Sequence, residues 1–226
     1  MCGRYALYGP RSRSRTEVDY FSSLDQFPGS WNVAPGQVLP VTRLRDGAIE
    51  QVTARWGLVP YFAKDEKSAY KCINARAETV ATNGMFKWAY KSKRRCLVPA
   101  CGFYEWQKHP SGKQPYYITS SDGSLLAFAG LWDTWKKPDG ETLATFTILT
   151  TEPNELTARL HNRMPVILEP ENYRAWLEAD DPRGLLQPCP VELLQCYPVS
   201  TRVNTPKNDA PDLIAPARDS LSGLFA

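Results

Sequence analysis

Residues 96–106 read Cys-Leu-Val-Pro-Ala-Cys-Gly-Phe-Tyr-Glu-Trp and contain two short runs rich in apolar and aromatic residues, at 96–98 and 102–106. Runs of this composition, bounded by turn residues, are typical of β-strands. Similar runs recur outward from this stretch in both directions, at 38–44, 49–56, 115–119, 125–132 and 143–150. Strands that occur throughout the chain predict a curved antiparallel or mixed sheet, in the form of an incomplete barrel or a sandwich.

Helical patterns are the minority in this sequence. They cover residues 15–24, 85–91, 154–160 and 170–177, and Asn83 is a candidate N-cap for the second of them. No repeat or long linker divides the chain. We therefore predict one α+β domain over residues 1–226, β-rich with a few flanking helices, and with a flexible tail at about 215–226.

The composition argues against several classes of protein. Among the 226 residues no apolar run approaches the ~18 that a membrane-spanning helix needs, and the first residues lack the apolar stretch of a signal peptide. The six cysteines form no Cys-x-x-Cys pair, which favours reduced thiols and gives little support to a zinc site. We expect a soluble cytoplasmic protein with no membrane partner, no metal and no cofactor.

Positive charge is concentrated in one part of the chain, although the formal net charge is only +3. The run from Lys87 to Arg95 contains five basic residues and no acidic one. Such a run either contacts nucleic acid or forms a solvated face of the protein.

Cys2 directly follows the initiator methionine, so removal of Met1 would give it a free α-amine beside its thiol. The α-amine has an ordinary pKa of about 7.7 to 8.0, against about 10.4 for lysine, so far more of it is neutral at pH 7. An aldehyde attacked by this amine gives an imine, which the neighbouring thiol can close to a five-membered thiazolidine ring. The alternative is that position 2 is only part of a mobile terminus.

A polar cluster, Asn-Ala-Arg-Ala-Glu, occupies residues 74–78. If this segment is extended, Asn74, Arg76 and Glu78 point to one face and the two alanines to the other. An amide and a guanidinium on one face suit a sugar-phosphate, because the amide donates and accepts and the guanidinium forks onto a phosphate. The alternative is an Arg76–Glu78 ion pair that stiffens a strand edge.

Two further polar residues lie in informative surroundings. Glu105 is a single carboxylate among aromatic residues, where burial would raise its pKa and equip it to carry protons near neutrality. A cationic neighbour would instead lower its pKa and make it a structural anchor. His161 follows a helical pattern, has Arg163 close by and precedes Pro165, as expected of a loop held on a rigid strand. A structural or exposed histidine is the alternative.

Taken together, these residues resemble a known family, the SRAP or SOS response-associated peptidase family of proteins that crosslink to abasic sites in DNA. The resemblance extends nearly from end to end and includes six motifs in one order. The motifs are residues 1–5 (MCGRY), 31–37 (WNVAPGQ), 55–60 (RWGLVP), 73–79 (INARAET), 102–106 (GFYEW) and 161–165 (HNRMP).

The resemblance implies a function and a set of site residues. Cys2, after loss of Met1, would bond to the C1′ aldehyde of an abasic site in single-stranded DNA and form a stable thiazolidine crosslink. Its active-site partners would be Asn74, Glu105 and His161. The implied DNA-binding residues are Arg4, Asn32, Phe62, Arg76 and Arg163. The expected fold is a single SRAP domain, a monomer that is nucleoid-associated when it binds DNA.

This chain departs from the family pattern at two places. Many members carry a tryptophan two residues after the 56–60 motif, whereas this chain has Tyr61 and Phe62, and Gly84 stands where some relatives have a basic residue. Two other functions stay open. Cys2 could be the nucleophile of a peptidase that mainly processes itself, with Glu105 or His161 as base. The chain could also bind single strands without covalent chemistry, through its aromatic residues and the basic run.

Overall fold

Five strands of the larger sheet form a closed ring in the computed structural model, which describes residues 2–9, 19–110 and 112–217. Numbered in chain order, they are β3 (Val38–Arg45), β4 (Ala48–Trp56), β6 (Arg95–Ala100), β9 (Leu126–Lys136) and β10 (Thr142–Thr151). Their order around the ring is β10, β4, β3, β6, β9 and again β10. All neighbours are antiparallel except β10 and β4, which are parallel.

The ring closes because β9 is long enough to serve two neighbours. Residues 126–131 of β9 pair with β6, and residues 130–136 pair with β10. Gly130 lies where the two pairings overlap, and a Cβ there would lie 2.8 Å from Sγ of Cys96. The predicted α+β class and β-rich curved sheet are confirmed, and the sheet goes beyond the expected incomplete barrel to full closure.

A second, five-stranded sheet packs against the barrel. Its strands, in spatial order, are β13 (Leu194–Pro198), β8 (Gly112–Ser120), β7 (Gly102–His109), β1 (Tyr5–Leu7) and β2 (Ser30–Val33). Tyr5 of β1 contacts two barrel side chains, Trp56 at 5.2 Å and Phe128 at 6.1 Å between ring centroids. Because Tyr5 is fully buried, these ring contacts join the two sheets and anchor the start of the chain to the barrel.

Three short strands extend the barrel at one end. They are β5 (Asn74–Arg76), β11 (Met164–Pro165) and β12 (Ile167–Leu168). β5 runs parallel to β10 beyond the point where β4 stops, and β11 pairs with the last residues of β10. Several segments that are distant in sequence therefore meet at the carboxyl end of β10.

Helices are few and short, as the sequence predicts. The α-helices that lie wholly within the described residues are α1 (Lys87–Lys91), α2 (Glu155–Ala158) and α3 (Tyr173–Glu178), and a 3₁₀ turn at Pro170–Asn172 precedes α3. Asn154 caps α2 by accepting a 3.0 Å hydrogen bond from the Thr157 N–H. Of the helix predicted at 15–24, residues 15–18 lie outside the described ranges, and Asp19 and Tyr20 are helical. The prediction is wrong for the rest, because the chain turns after Tyr20 and enters a 3₁₀ turn at Leu24–Gln26.

The helix predicted from residue 85 begins as an α-helix only at Lys87. Asn83 still acts on the turn that leads into α1, because its Oδ1 accepts from the Met85 N–H at 2.9 Å. Its carbonyl accepts from the Lys87 N–H at 2.8 Å. The predicted capping residue is therefore displaced from the formal N-cap position, which Phe86 occupies.

The described part of the predicted flexible tail is tied to the domain. Pro216 bridges to Val199, and the Ala217 N–H donates to the Pro198 carbonyl at 2.9 Å. The remainder of that tail, residues 218–226, lies outside the described residues. Across the described ranges, none of the helices has the length and apolar character needed to cross a bilayer.

Candidate active site

Cys2 lies three residues before β1 and is fully buried. The Nδ2 amide of Asn74 donates a 2.8 Å hydrogen bond to the Cys2 carbonyl. Asn74 holds this position because β5 pairs with β10, where Ile148 lies opposite it. Its Oδ1 is also buried and accepts no hydrogen bond from the residues that the structure describes. One end of the amide thus fixes Cys2, while the other presents an acceptor that a bound hydroxyl could satisfy.

Glu105 lies on β7 with only 3% of its surface exposed. β7 is antiparallel to β1, with Phe103 opposite Tyr5, and continuing this register by two residues places Glu105 opposite Gly3. Burial raises the pKa of Glu105 from its ordinary 4.5 to about 7. The carboxyl therefore exchanges its proton near neutrality, which is the condition for a general acid or base.

The Cys2 thiol has a strongly raised pKa. Burial is the main cause, and the negative charge of nearby Glu105 adds to it. The thiol is consequently protonated at neutral pH, and it must lose a proton to a neighbouring base when it forms a bond through sulfur. Glu105 is the carboxylate whose negative charge raises the pKa of this thiol.

His161 lies in the loop that follows α2 and is partly buried. Its Nδ1 accepts a 3.0 Å hydrogen bond from the Arg163 backbone N–H, so the neutral ring carries its proton on Nε2. Burial lowers the pKa of His161 below its ordinary 6.5, which favours this neutral form. The loop is linked to the Glu105 strand because Nε2 of Gln107 donates to the Arg159 carbonyl at 3.3 Å. Gln107 follows Glu105 by two residues and shares its face of β7.

Arg163 makes a two-bond ion pair with Glu78, at 2.6 and 2.9 Å. Its Nη2 also donates to the Thr150 carbonyl at 2.5 Å. The Arg76–Glu78 pair considered from the sequence is wrong, because Glu78 lies in a turn after β5 and faces the loop that holds Arg163. Arg76 itself is exposed, at the end of β5. The residue after it, Ala77, donates its backbone N–H to the Thr150 carbonyl.

Arg4 and Asn32 are hydrogen-bonded to each other and to residues 203–208, the C-terminal segment. Nη1 of Arg4 donates to Oδ1 of Asn32 at 2.7 Å and to the Val203 carbonyl at 2.8 Å. The Asn32 amide nitrogen in turn donates to the carbonyls of Val203, Thr205 and Asn208. Asn32 is 1% exposed, so in this arrangement it holds Arg4 and the segment rather than presenting its own side chain to solvent.

Phe62 belongs to an exposed group of three aromatic side chains. Its ring lies 5.3 Å from that of Tyr61, and the Tyr61 ring lies 5.4 Å from that of Trp88 on α1. The basic run that contains Trp88 is not one solvated face. Arg95 is buried and donates to the carbonyls of residues 176 and 179, whereas Arg94 pairs with buried Asp133.

Two of the implied partners, Asn74 and Glu105, lie next to Cys2 at the start of the chain, and the segment that leads to His161 is tied to the Glu105 strand. The links are a hydrogen bond for Asn74, a strand register for Glu105 and a hydrogen bond from Gln107 for the His161 segment. The sequence did not point to Gln107 or to the role of Glu78. Glu78 belongs to the polar cluster at 74–78, which marked it as a residue of interest. Its partner, Arg163, could not be predicted because it lies 85 positions later in the chain.

Comparison with known proteins agrees with this architecture. Residues 1–206 match the family described as SOS response associated peptidase (SRAP). The abasic site processing protein YoqW of Bacillus subtilis (strain 168) is 43% identical over 223 residues, which cover 95% of this chain and 99% of that protein. The abasic site processing protein HMCES of Gallus gallus is 37% identical, over 96% of this chain and 78% of that protein.

A solved structure is similar as well. The crystal structure of a protein from Bacteroides thetaiotaomicron has a TM-score of 0.74 and 30% identity to this chain, covering 83% of this chain and 85% of that one. The motifs, the fold and the matched length lead to one conclusion. The chain belongs to the SRAP family.

Proposed function

We propose that this protein processes abasic sites in DNA, and that it does so by forming a thiazolidine between Cys2 and the abasic sugar of a single strand. The broader role is supported by the names of its relatives, which are abasic site processing proteins. The observation that carries the finer proposal is the buried carboxyl of Glu105, which has a pKa of about 7 and acts on the Cys2 thiol.

The abasic sugar must first open. In the ring-closed form, the C1′–O4′ bond breaks, O4′ takes a proton and the C1′ hydroxyl loses one, which gives the aldehyde. His161 and Glu105 are the groups that can supply and remove these protons, because one is a neutral imidazole and the other titrates near pH 7. The buried Oδ1 of Asn74 would accept a hydrogen bond from a sugar hydroxyl and orient it.

Ring closure on Cys2 then balances without a cofactor. The α-amine, freed by removal of Met1, adds to the aldehyde carbon, and the resulting carbinolamine loses its hydroxyl as water to form an imine. The Cys2 sulfur adds to the imine carbon, while the thiol proton passes through Glu105 to the imine nitrogen. One aldehyde and one 1,2-aminothiol thereby give one thiazolidine and one water. Trapping the aldehyde also removes the group that promotes strand cleavage by β-elimination.

The DNA strand would be held mainly through its phosphates. Arg76 is exposed beside Asn74, and Arg4 is positioned by Asn32 near the start of β1. Arg163 would join them once it gives up Glu78, since the guanidinium fork that binds a carboxylate also fits a phosphate. Phe62 offers an exposed ring on which an unpaired base can stack.

The experiment that tests this function uses protein lacking Met1 and an oligonucleotide with one abasic site. We expect a heat-stable shifted band with the natural chain, no stable band with Cys2→Ala, and with Cys2→Ser only an imine that borohydride must reduce to survive. Binding of intact DNA should be nearly unchanged in both variants. A heat-stable adduct with Cys2→Ala, in the absence of borohydride, would refute the proposal.

Further outcomes separate the other two functions. Binding without any adduct in the natural chain would favour a non-covalent single-strand binder. Cleavage of added peptides that depends on Cys2 would favour a peptidase.

A further inference from the structure

Three large aromatic side chains are exposed together on one surface. Tyr61 is 54% exposed, Phe62 51% and Trp88 42%. They come from two segments, the loop after β4 and the helix α1, yet their rings are in contact through Tyr61. We call Tyr61, Phe62 and Trp88 the three-ring surface. Contiguous exposed aromatic residues are uncommon on soluble proteins and mark sites of interaction.

The three-ring surface is held in place by buried charge. The carboxylate of Asp133, which is 1% exposed, accepts from the Tyr61 backbone N–H at 3.0 Å and pairs with the guanidinium of Arg94. Arg94 lies between two indoles, 5.9 Å from the ring centre of Trp88 and 5.2 Å from that of Trp132. Asp133 thus fixes the loop on one side and, through Arg94, the Trp88 ring on the other.

Lysines outnumber exposed acidic residues around these rings. Lys87 and Lys91 flank Trp88 on α1 and are exposed, and exposed Lys64 follows Phe62 by two residues, next to exposed Asp65. The acidic group among the rings, Asp133, is buried and paired, so it presents little charge to solvent. Exposed rings bordered by lysines match the chemistry of unpaired nucleic acid, in which stacking bases alternate with phosphates.

The three-ring surface also lies within reach of the candidate active site. Ile148 of β10 pairs with Asn74 on one side and with Gly130 of β9 on the other. Asn74 and Gly130 are two strand spacings apart, about 10 Å, and Asp133 is three residues, or about 10 Å, further along β9, so Asp133 lies roughly 15 Å from Asn74. A single DNA strand with its sugar at Cys2 would therefore extend over the rings within a few nucleotides.

We propose that Tyr61 and Trp88 extend the base-stacking role proposed for Phe62, so that the three-ring surface binds unpaired bases that flank the reacting sugar, and that Trp88 is a DNA-binding residue of this chain. The inference extends the proposed function, because it names a base-stacking subsite beside the same reaction centre. The same stacking should occur with intact single-stranded DNA, because stacking on these rings needs no aldehyde.

The test measures binding of a fluorescein-labelled intact oligothymidylate of fifteen nucleotides by anisotropy, at one fixed salt concentration. We expect Trp88→Ala to weaken this binding by about five- to a hundredfold, the range that removal of one stacking ring produces. Trp88→Phe should recover most of it, because a smaller ring remains. Tyr70→Ala is the matched control: Tyr70 is 81% exposed, and it makes no ring contact within the described residues. The affinity of Tyr70→Ala for the oligothymidylate should stay within twofold of that of the natural chain.

Equal weakening by Tyr70→Ala, or equal loss of binding to a blunt duplex of the same length, would overturn the inference. So would natural affinity in Trp88→Ala when circular dichroism shows that it is folded. These results are separable from the crosslinking assay. Weakened oligothymidylate binding in Trp88→Ala would support the subsite even if the natural chain formed no adduct, and an intact adduct with unchanged Trp88→Ala binding would remove the subsite alone.

Discussion

The guanidinium of Arg163 forms two parallel hydrogen bonds to the carboxylate of Glu78, a residue 85 positions earlier in the chain. This fork is the same geometry by which arginine binds a phosphate. The pair also steadies the backbone at Arg163, whose N–H donates to the His161 ring. In the proposed function, Glu78 therefore competes with a DNA phosphate for Arg163, and it also supports the loop that carries His161.

Glu78→Gln should increase affinity for single-stranded DNA a few-fold and make its salt dependence steeper by up to one counterion, because Arg163 becomes available to a phosphate. The stability cost should be about 1 kcal/mol or less, since the Glu78 side chain is 44% exposed. Anisotropy titrations across salt concentrations would measure the effect. Glu141→Gln is the control, because it removes the same charge from a surface pair with Lys137. Equal affinities of the two variants would contradict the competition.

Glu105→Gln should change how stability depends on pH. The folded pKa of about 7 lies above the ordinary 4.5, so the protonated form is favoured by the fold. The natural chain therefore has its full stability from this group below pH 4.5 and loses about 3 kcal/mol of it as the pH rises through 7. The variant should lack this loss. Urea denaturation at pH 5, 6, 7 and 8 measures it, and parallel curves for the two proteins would show that Glu105 is not buried in its neutral form.

His161→Asn and His161→Ala should differ in structure but agree in chemistry. An asparagine oxygen can accept the Arg163 N–H as the imidazole Nδ1 does, so His161→Asn should keep the loop and the melting temperature. Neither variant can transfer a proton at this position, so both should slow single-turnover crosslinking while DNA affinity changes little. A natural rate in His161→Asn would assign the histidine a purely structural role.

Arg76→Gln and Arg95→Gln provide a contrast between two arginines. Arg76 is exposed, so its loss should leave stability within about 0.5 kcal/mol and weaken DNA binding for every sequence, with a salt slope lower by about one. Arg95 is buried and donates to the carbonyls of Trp176 and Ala179. Its replacement should cost about 2 to 4 kcal/mol while the folded fraction binds DNA normally. Denaturation and titration of both variants decide this, and strong destabilisation by Arg76→Gln would be the opposite result.

Strand positions could be predicted from the sequence because each strand carries its own local signal. All seven predicted runs coincide with strands, with Leu125 alone falling outside, and the two at 96–98 and 102–106 became β6 and β7. The closure of the barrel carried no such signal. It depends on β10 lying parallel to β4 and antiparallel to β9, and the first of these pairings joins residues about ninety positions apart.

The site could be predicted as a set of residues but only partly as an arrangement. Arg94 and Arg95 are identical neighbours in one basic run, yet one stacks on indoles near the surface and the other is buried under α3. Arg95 is the first residue of β6 and Arg94 precedes it, so the two side chains point to opposite sides of the chain, and which side is buried becomes visible only when the strand has neighbours on both sides. Asn32 was likewise predicted to bind DNA, whereas its amide nitrogen donates to three backbone carbonyls of the C-terminal segment.

The pairing of β5 with β10 has a consequence for how the protein is made. Among the described strands, β5 pairs with β10 alone, and β10 is also the strand that closes the barrel. Asn74 therefore takes its place only after residue 151 has left the ribosome, and the loop bearing His161 arrives later still. At about 5 to 20 residues per second, the start of the chain waits roughly ten seconds or more for these partners. In the proposed mechanism, a nascent or truncated chain thus carries Cys2 before Asn74 and His161 have taken their places, so crosslinking becomes possible only in the step that completes the fold.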